Sequence, residues 1–192
     1  MDRKGDFGGA MSRLSVSSLI AVVLYTASSP AAAGQTQPGS TGSARNDSKA
    51  PTILFMCPHG AAKSVLASAY FQRLAKERGL NVRVESGGTE PDATVSPAVA
   101  AHLGRSGHSV PVSTPRKVTP EEFAAADVVI SIGCDLSKLP EPAGRLVRWD
   151  EVPPLSEDFT RADEAIRKRV TALVEELLLT ASKREIAYRH TI

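Results

Sequence analysis

What the chain lacks rules out several classes of protein. Two cysteines in 192 residues, Cys57 and Cys134, are too few for a disulfide-stapled scaffold and leave room for one reactive thiol pair at most. No charge of one sign dominates: 23 basic and 21 acidic residues give a formal net charge of +2. With no basic block, nothing points to nucleic acid or an anionic lipid surface as a partner. The apolar run Leu19–Tyr25 is well short of the roughly 18 residues that a spanning helix needs. No internal repeat is visible, and no metal or organic cofactor is implied. What is present, 42% hydrophobic and 23% charged residues, is ordinary for one globular domain with a sizeable core.

The N-terminus has a pattern of its own. Arg13 precedes the apolar run, which gives way to small residues and Ala31-Ala32-Ala33-Gly34. That order predicts a secretory signal peptide over residues 1–33, hence an exported protein, periplasmic or extracellular, anchored to the membrane if the leader stays uncleaved. Met11-Ser12-Arg13 makes a more usual start for such a leader than Met1-Asp2-Arg3. Residues 34–50 are rich in Gly, Ser, Thr, Gln and Asn, the composition of a flexible linker. The folded domain is expected over 51–182, with a tail over 183–192.

Within that domain, short apolar runs alternate with helical patterns. Thr52-Ile53-Leu54-Phe55-Met56 reads as a buried strand that stops at a Pro/Gly loop. From Ser64 to Arg78, Val65, Leu66, Ala69, Tyr70 and Leu74 recur at helical spacing, and Gly79 stands at the C-terminal cap position. A second strand is expected over Val82–Glu85. Ser96-Pro97 opens a helix that Gly104 and Gly107 end, and Thr119-Pro120-Glu121-Glu122 opens another with a capping box. Asp127–Ile132 and Leu146–Trp149 read as further strands. A last helix over about Thr160–Leu179 carries Ile166, Val170, Leu173, Val174 and Leu177 inward. Strands alternating with helices predict a doubly wound, flavodoxin-like, four-stranded parallel sheet in a three-layer α/β/α domain. In such sheets ligands bind beyond the carboxyl ends of the strands, where both cysteines fall.

Cys57 stands between a strand end and a helix start, so loop amides and the positive end of the helix dipole converge near its sulfur. That setting favours a thiolate, and the same amides can hold a tetrahedral oxyanion in front of it. Attack on phosphorus or arsenic is the chemistry that fits. Lys63 offers a cation, and Ser64 offers either a hydrogen bond to the thiolate or a helix cap. His59 reads as an aid to anion binding or as a spacer. Cys134 reads as a redox partner or as a small buried hydrophobe.

The run Cys57-Pro58-His59-Gly60-Ala61-Ala62-Lys63-Ser64, preceded by Ile53–Met56, resembles the phosphate loop of the low-molecular-weight protein-tyrosine-phosphatase superfamily. That superfamily includes the thioredoxin- and mycothiol-coupled arsenate reductases, and its loop is Cys, any five residues, Arg, Ser. The similarity continues through Ser86-Gly87-Gly88-Thr89, Ser96-Pro97-Ala98 and Thr119–Ile130. It implies Cys57 as nucleophile, and His59, Gly60, Ala61, Ala62, Lys63 and Ser64 as the oxyanion cradle. The loop is closer to the arsenate-reductase version. Gly133-Cys134-Asp135 resembles the place where those reductases keep a second redox cysteine, which attacks the thiol–arsenate adduct and leaves a disulfide. A third cysteine of the thioredoxin-coupled branch would fall near Leu139 and is absent.

Three departures bear on strength. Lys63 replaces a planar, two-pronged Arg with one compact charge. Pro58 has no N–H to give the cradle, and Gly60 replaces an Asn that braces the loop. The family's acid, an Asp followed by Pro after the fourth strand, is matched only by Trp149-Asp150-Glu151-Val152-Pro153-Pro154, where Asp150 is the nearest candidate acid and Glu151 its neighbour. The chain is therefore expected to act through a cysteine thiolate on a phosphate or arsenate oxyanion or a phosphorylated substrate, with a thiol reductant as partner in the arsenate case. The rival reading is a catalytically weakened oxyanion-binding module of the same fold. Export makes one prediction: mature protein recovered from the cell envelope or medium begins near Gly34 by intact-mass analysis, and a full-length cytoplasmic product would contradict it.

Overall fold

Strand β1 (Thr52–Cys57) is buried from Ile53 to Cys57, because it lies mid-sheet with helices on both faces and has no solvent side to be polar on. The computed structural model describes residues 50–189. The expected leader, the linker through residue 49 and the last three residues lie outside the described residues. After β1 come α1 (Lys63–Glu77), β2 (Arg83–Gly88), α2 (Pro97–Arg105), α3 (Pro120–Ala125), β3 (Val128–Ser131), β4 (Arg145–Arg148) and α4 (Phe159–Arg189). All strand pairings are parallel, in the order β2-β1-β3-β4, so the doubly wound three-layer fold expected from the sequence is the one found.

Alternation along β1 divides the core. Ile53, Phe55 and Cys57 join the cluster under α1, α2 and α4, whereas Leu54 and Met56 join Val118, Phe123 and Cys134 on the other face. Each large side chain buried there contributes roughly 1.5–3 kcal/mol. Short α3 relies on its cap: the Thr119 hydroxyl accepts from the Glu122 N–H, and the Glu122 carboxylate accepts from the Thr119 N–H.

Two boundaries differ from expectation. Strand β2 runs on to Gly88, pairing Phe55 with Ser86, Met56 with Gly87 and Cys57 with Gly88. Small residues there weaken a propensity reading, yet tertiary crowding demands them. A Cβ on Gly87 would meet the Arg116 carbonyl oxygen at 2.8 Å, and one on Gly88 would meet Gly60 N at 2.5 Å and Pro58 O at 2.7 Å. Helix α4 continues past Leu179 to Arg189, because Thr180–Arg189 has no apolar stripe but also no Gly or Pro to stop it.

The start of α4 is tied to α1 by a buried polar cluster. Asp163, 8% exposed, accepts from the Tyr70 hydroxyl and from Arg167 Nε, the latter at 2.9 Å. Arg167 also donates to the Tyr70 oxygen at 2.8 Å, and His102 of α2 lies 3.0 Å from that oxygen. Burial, then the Asp163 carboxylate, hold the Tyr70 phenol strongly protonated. Hydrogen bonds to a buried charge are worth roughly 1.5–3 kcal/mol each, enough to keep Phe159 and the first turn of α4 beside the end of β1. The glycine crowding gives the prediction for this fold: Gly88→Ala lowers stability by about 1–3 kcal/mol through overpacking, read as a lower denaturation midpoint at unchanged slope.

Candidate active site

The loop after Cys57 is shaped by backbone contacts. Gly60 adopts φ 59°, a conformation that other residues avoid, and its N–H donates to the Cys57 carbonyl at 3.2 Å. The carbonyls of Pro58, His59 and Ala61 accept from the N–H groups of Glu90, Asp92 and Ser96 at 2.9, 3.0 and 2.9 Å. The segment after β2 thus occupies three loop carbonyls. Helix α1 follows at once, and its N-cap, Ala62, makes no side-chain capping bond. The first N–H groups of a helix have no intrahelical acceptor, so an anion beside Cys57 would meet uncapped donors and the positive end of the dipole.

Ser64 is fully buried, with its Oγ 3.2 Å from the Cys57 sulfur. A thiol donates across that contact, and a thiolate accepts from the hydroxyl. Cys57, His59, Ala61, Ala62 and Lys63 line a cleft of about 580 Å³. Gly60 packs against Gly87 and Gly88 beneath it, and its amide is already engaged within the loop. Ala98, Pro154, Leu155 and Phe159 give the cleft an apolar wall.

Lys63 donates from Nζ to the Val152 carbonyl at 3.4 Å, and that nitrogen lies 3.3 Å from where a Cβ on Gly133 would sit. Gly133, at φ 73°, turns the chain into Cys134, which is 3% exposed and, like Cys57, a free thiol. Burial pushes the Cys134 thiol up to about 11; the charge of Cys57 adds to the shift, while the charge of Lys63 opposes it. Cys57 ends β1 and Cys134 follows β3, so both thiols stand at the same end of the sheet, but Cys134 does not line the cleft.

The acids beside Trp149 stand apart. Asp150 accepts from Arg148 Nε at 2.8 Å, Glu151 accepts from Arg169 Nε at 3.0 Å, and neither lines the cleft. Trp149, just before them, is buried against Phe55, ring centroids 6.1 Å apart, and this fixes the direction of the chain on either side of it. The carboxylate that does line the cleft is Asp92, with Oδ1 3.4 Å from His59 Nδ1. Sequence reasoning passed it over. Its signal was positional: Glu90-Pro91-Asp92 follows β2 at the same sheet edge as Cys57.

Residues 52–144 match the family model of the low molecular weight phosphotyrosine protein phosphatases. The chain belongs to the low-molecular-weight protein-tyrosine-phosphatase superfamily. It is 28% identical over 127 residues to a putative arsenate reductase of Halobacterium salinarum, covering 64% of this chain and 89% of that one. A thioredoxin-dependent arsenate reductase of Corynebacterium glutamicum superposes with a TM-score of 0.61 at 28% identity, covering 70% of this chain and 65% of that one, just under two thirds of its length. An arsenate reductase of Archaeoglobus fulgidus gives a TM-score of 0.52 at 28% identity, covering 64% and 98%. Members of the superfamily share the cysteine loop, and here that loop lies at the switch point between β1 and β3.

The raised Cys134 thiol leads to a pH prediction. With a native value of about 11, its thiolate fraction grows about tenfold per pH unit through the range below that value. Alkylation of Cys134 in the folded protein, resolved from that of Cys57 by peptide mass spectrometry, should rise by that factor per unit between about pH 8 and pH 10. A plateau near pH 9 would instead mark an ordinary thiol.

Proposed function

We propose that this chain is an exported, cysteine-dependent oxyanion enzyme whose best-supported reaction is arsenate reduction. One observation carries the reading: a second free thiol, Cys134, follows β3 at the same end of the parallel sheet as Cys57, and Lys63 Nζ reaches the Gly133 turn that leads into it. The two arsenate reductases of known structure named above, each 28% identical, support the same choice. Arsenate is held by the first amides of α1 and by Lys63, which gives up the Val152 carbonyl for the anion. The Cys57 thiolate attacks arsenic, an As–O bond breaks, and the Ser64 hydroxyl stabilises the sulfur before attack. The Cys134 sulfur then attacks Cys57 Sγ. The S–As electron pair stays on arsenic, which leaves as arsenite, and a Cys57–Cys134 disulfide remains for an external dithiol to reduce.

Phosphate-ester hydrolysis has the same first step and expels an ester oxygen, which like the oxygen leaving arsenate needs a proton. Asp150, the acid that the family resemblance suggests for it, is paired with Arg148 outside the cleft. Both reactions need that proton, so the preference for reduction rests on the second free thiol, Cys134. A second reading, an oxyanion-binding module, draws support from Lys63, whose single charge is engaged by Val152 and lacks the fork of an Arg.

The deciding experiment incubates the protein with arsenate and dithiothreitol. Arsenite release and a Cys57–Cys134 disulfide, both lost in Cys57→Ser, are expected, with Cys134→Ser trapping the reaction before release. Micromolar phosphate or arsenate binding by calorimetry without either product would leave the binding module standing and remove the reductase.

A further inference from the structure

When the Cys57 sulfur attacks arsenic or phosphorus, the displaced oxygen departs with an electron pair and needs a proton. Asp150 and Glu151, which follow Trp149, do not line the cleft. Among the described residues that do, the titratable side chains are Cys57, His59, Lys63 and Asp92. Cys57 is the nucleophile and Lys63 the counter-charge, which leaves a histidine and a carboxylate.

These two are joined twice. Asp92 Oδ1 lies 3.4 Å from His59 Nδ1, and the Asp92 N–H donates to the His59 carbonyl at 3.0 Å. The adjoining bond from the Glu90 N–H to the Pro58 carbonyl, 2.9 Å long, holds the same segment against the loop. His59 is two residues from the nucleophile, and its side chain and that of Asp92 are 63% and 55% exposed, open to proton exchange with water. A carboxylate beside Nδ1 favours the tautomer that carries its proton there, which leaves Nε2 as the variable position. Glu90, two residues before Asp92, adds a further negative charge on that segment, and Lys63 is the cation lining the cleft.

We propose that His59 and Asp92 form the proton-donating pair of this site, His59 as catalytic acid and Asp92 as its positioning residue. The proposal rests on the thiolate reading above and supplies the acid it lacks. In the step concerned the S–As bond forms and one As–O bond breaks. The leaving oxygen keeps the bonding pair, takes the proton from His59 Nε2 and departs as water. The neutral imidazole, its Nδ1 beside Asp92, recovers its proton from solvent. Arsenic is not reduced here, so no oxidant or reductant enters until Cys134 attacks.

The test measures single-turnover formation of the Cys57–Cys134 disulfide with arsenate across pH for wild type, His59→Gln, Asp92→Asn and the double variant. Losing the acid should cost His59→Gln about a hundredfold and abolish the alkaline limb of the profile. Asp92→Asn, which keeps the amide bonded to the His59 carbonyl, should lose less alone and nothing further in the His59→Gln background. A merely structural Asp92 would cost the same in both backgrounds, and variants matching wild type would overturn the pair while leaving the reductase intact. If wild type makes no disulfide, the reductase reading falls and NMR of the His59 ring with inorganic phosphate decides the pair. Ring signals that shift with phosphate in wild type and not in Asp92→Asn support it, and signals that stay put overturn it.

Discussion

The close approach of two backbones, Gly60 of the cysteine loop and Gly88 at the end of β2, is the constraint on which the site depends. With no Cβ at either position, the loop folds down until Gly60 N would be 2.5 Å from a side chain on Gly88. That depth sets the next contacts. It brings the loop's carbonyls within reach of the amides of Glu90, Asp92 and Ser96, and those bonds commit the acceptors of the loop. The uncapped donors of α1 remain beside the sulfur. The donors left over form the candidate anion site, with Lys63 as the one lysine or arginine lining the cleft among the described residues.

Lys63 shows how a single substitution redistributes roles. A guanidinium can hold two anion oxygens in a plane, whereas an ammonium is one point charge on a flexible stem. Here that stem reaches across to the Val152 carbonyl and past Gly133, linking the loops after β3 and β4 to α1. The cation therefore serves the cleft and its surroundings together. Cys134, held neutral by burial, lies within the influence of that charge. A buried thiol beside a cation is protected at rest and becomes a nucleophile when its proton is drawn off.

Much of this was legible in the chain. The strand–Cys57–loop–helix order, the helical spacing of Val65 to Leu74 and the capping box at Thr119 each follow from local rules, and together they point to the parallel sheet and the position of the cysteine loop. The end of β2 was less legible, because Ser86-Gly87-Gly88 has poor strand propensity and is extended only under the crowding of Gly60, Arg116 and Val118. The far end of α4 was missed for the opposite reason: a polar helix without stop signals has no apolar period to read.

By itself the sequence determined the fold class, the position of the cysteine loop and the cation in it, since each rests on residue type and short-range spacing. Only the tertiary structure decided which acid stands at the cleft. Asp150 is one residue from the buried Trp149 and is drawn to Arg148 at 2.8 Å, while Asp92, from a segment without a motif, meets His59 at 3.4 Å. The physical reason is that a carboxylate's role depends on the cation or imidazole nearest to it in space. Parallel pairing of β1 with β2 chose that neighbour, 33 positions along the chain.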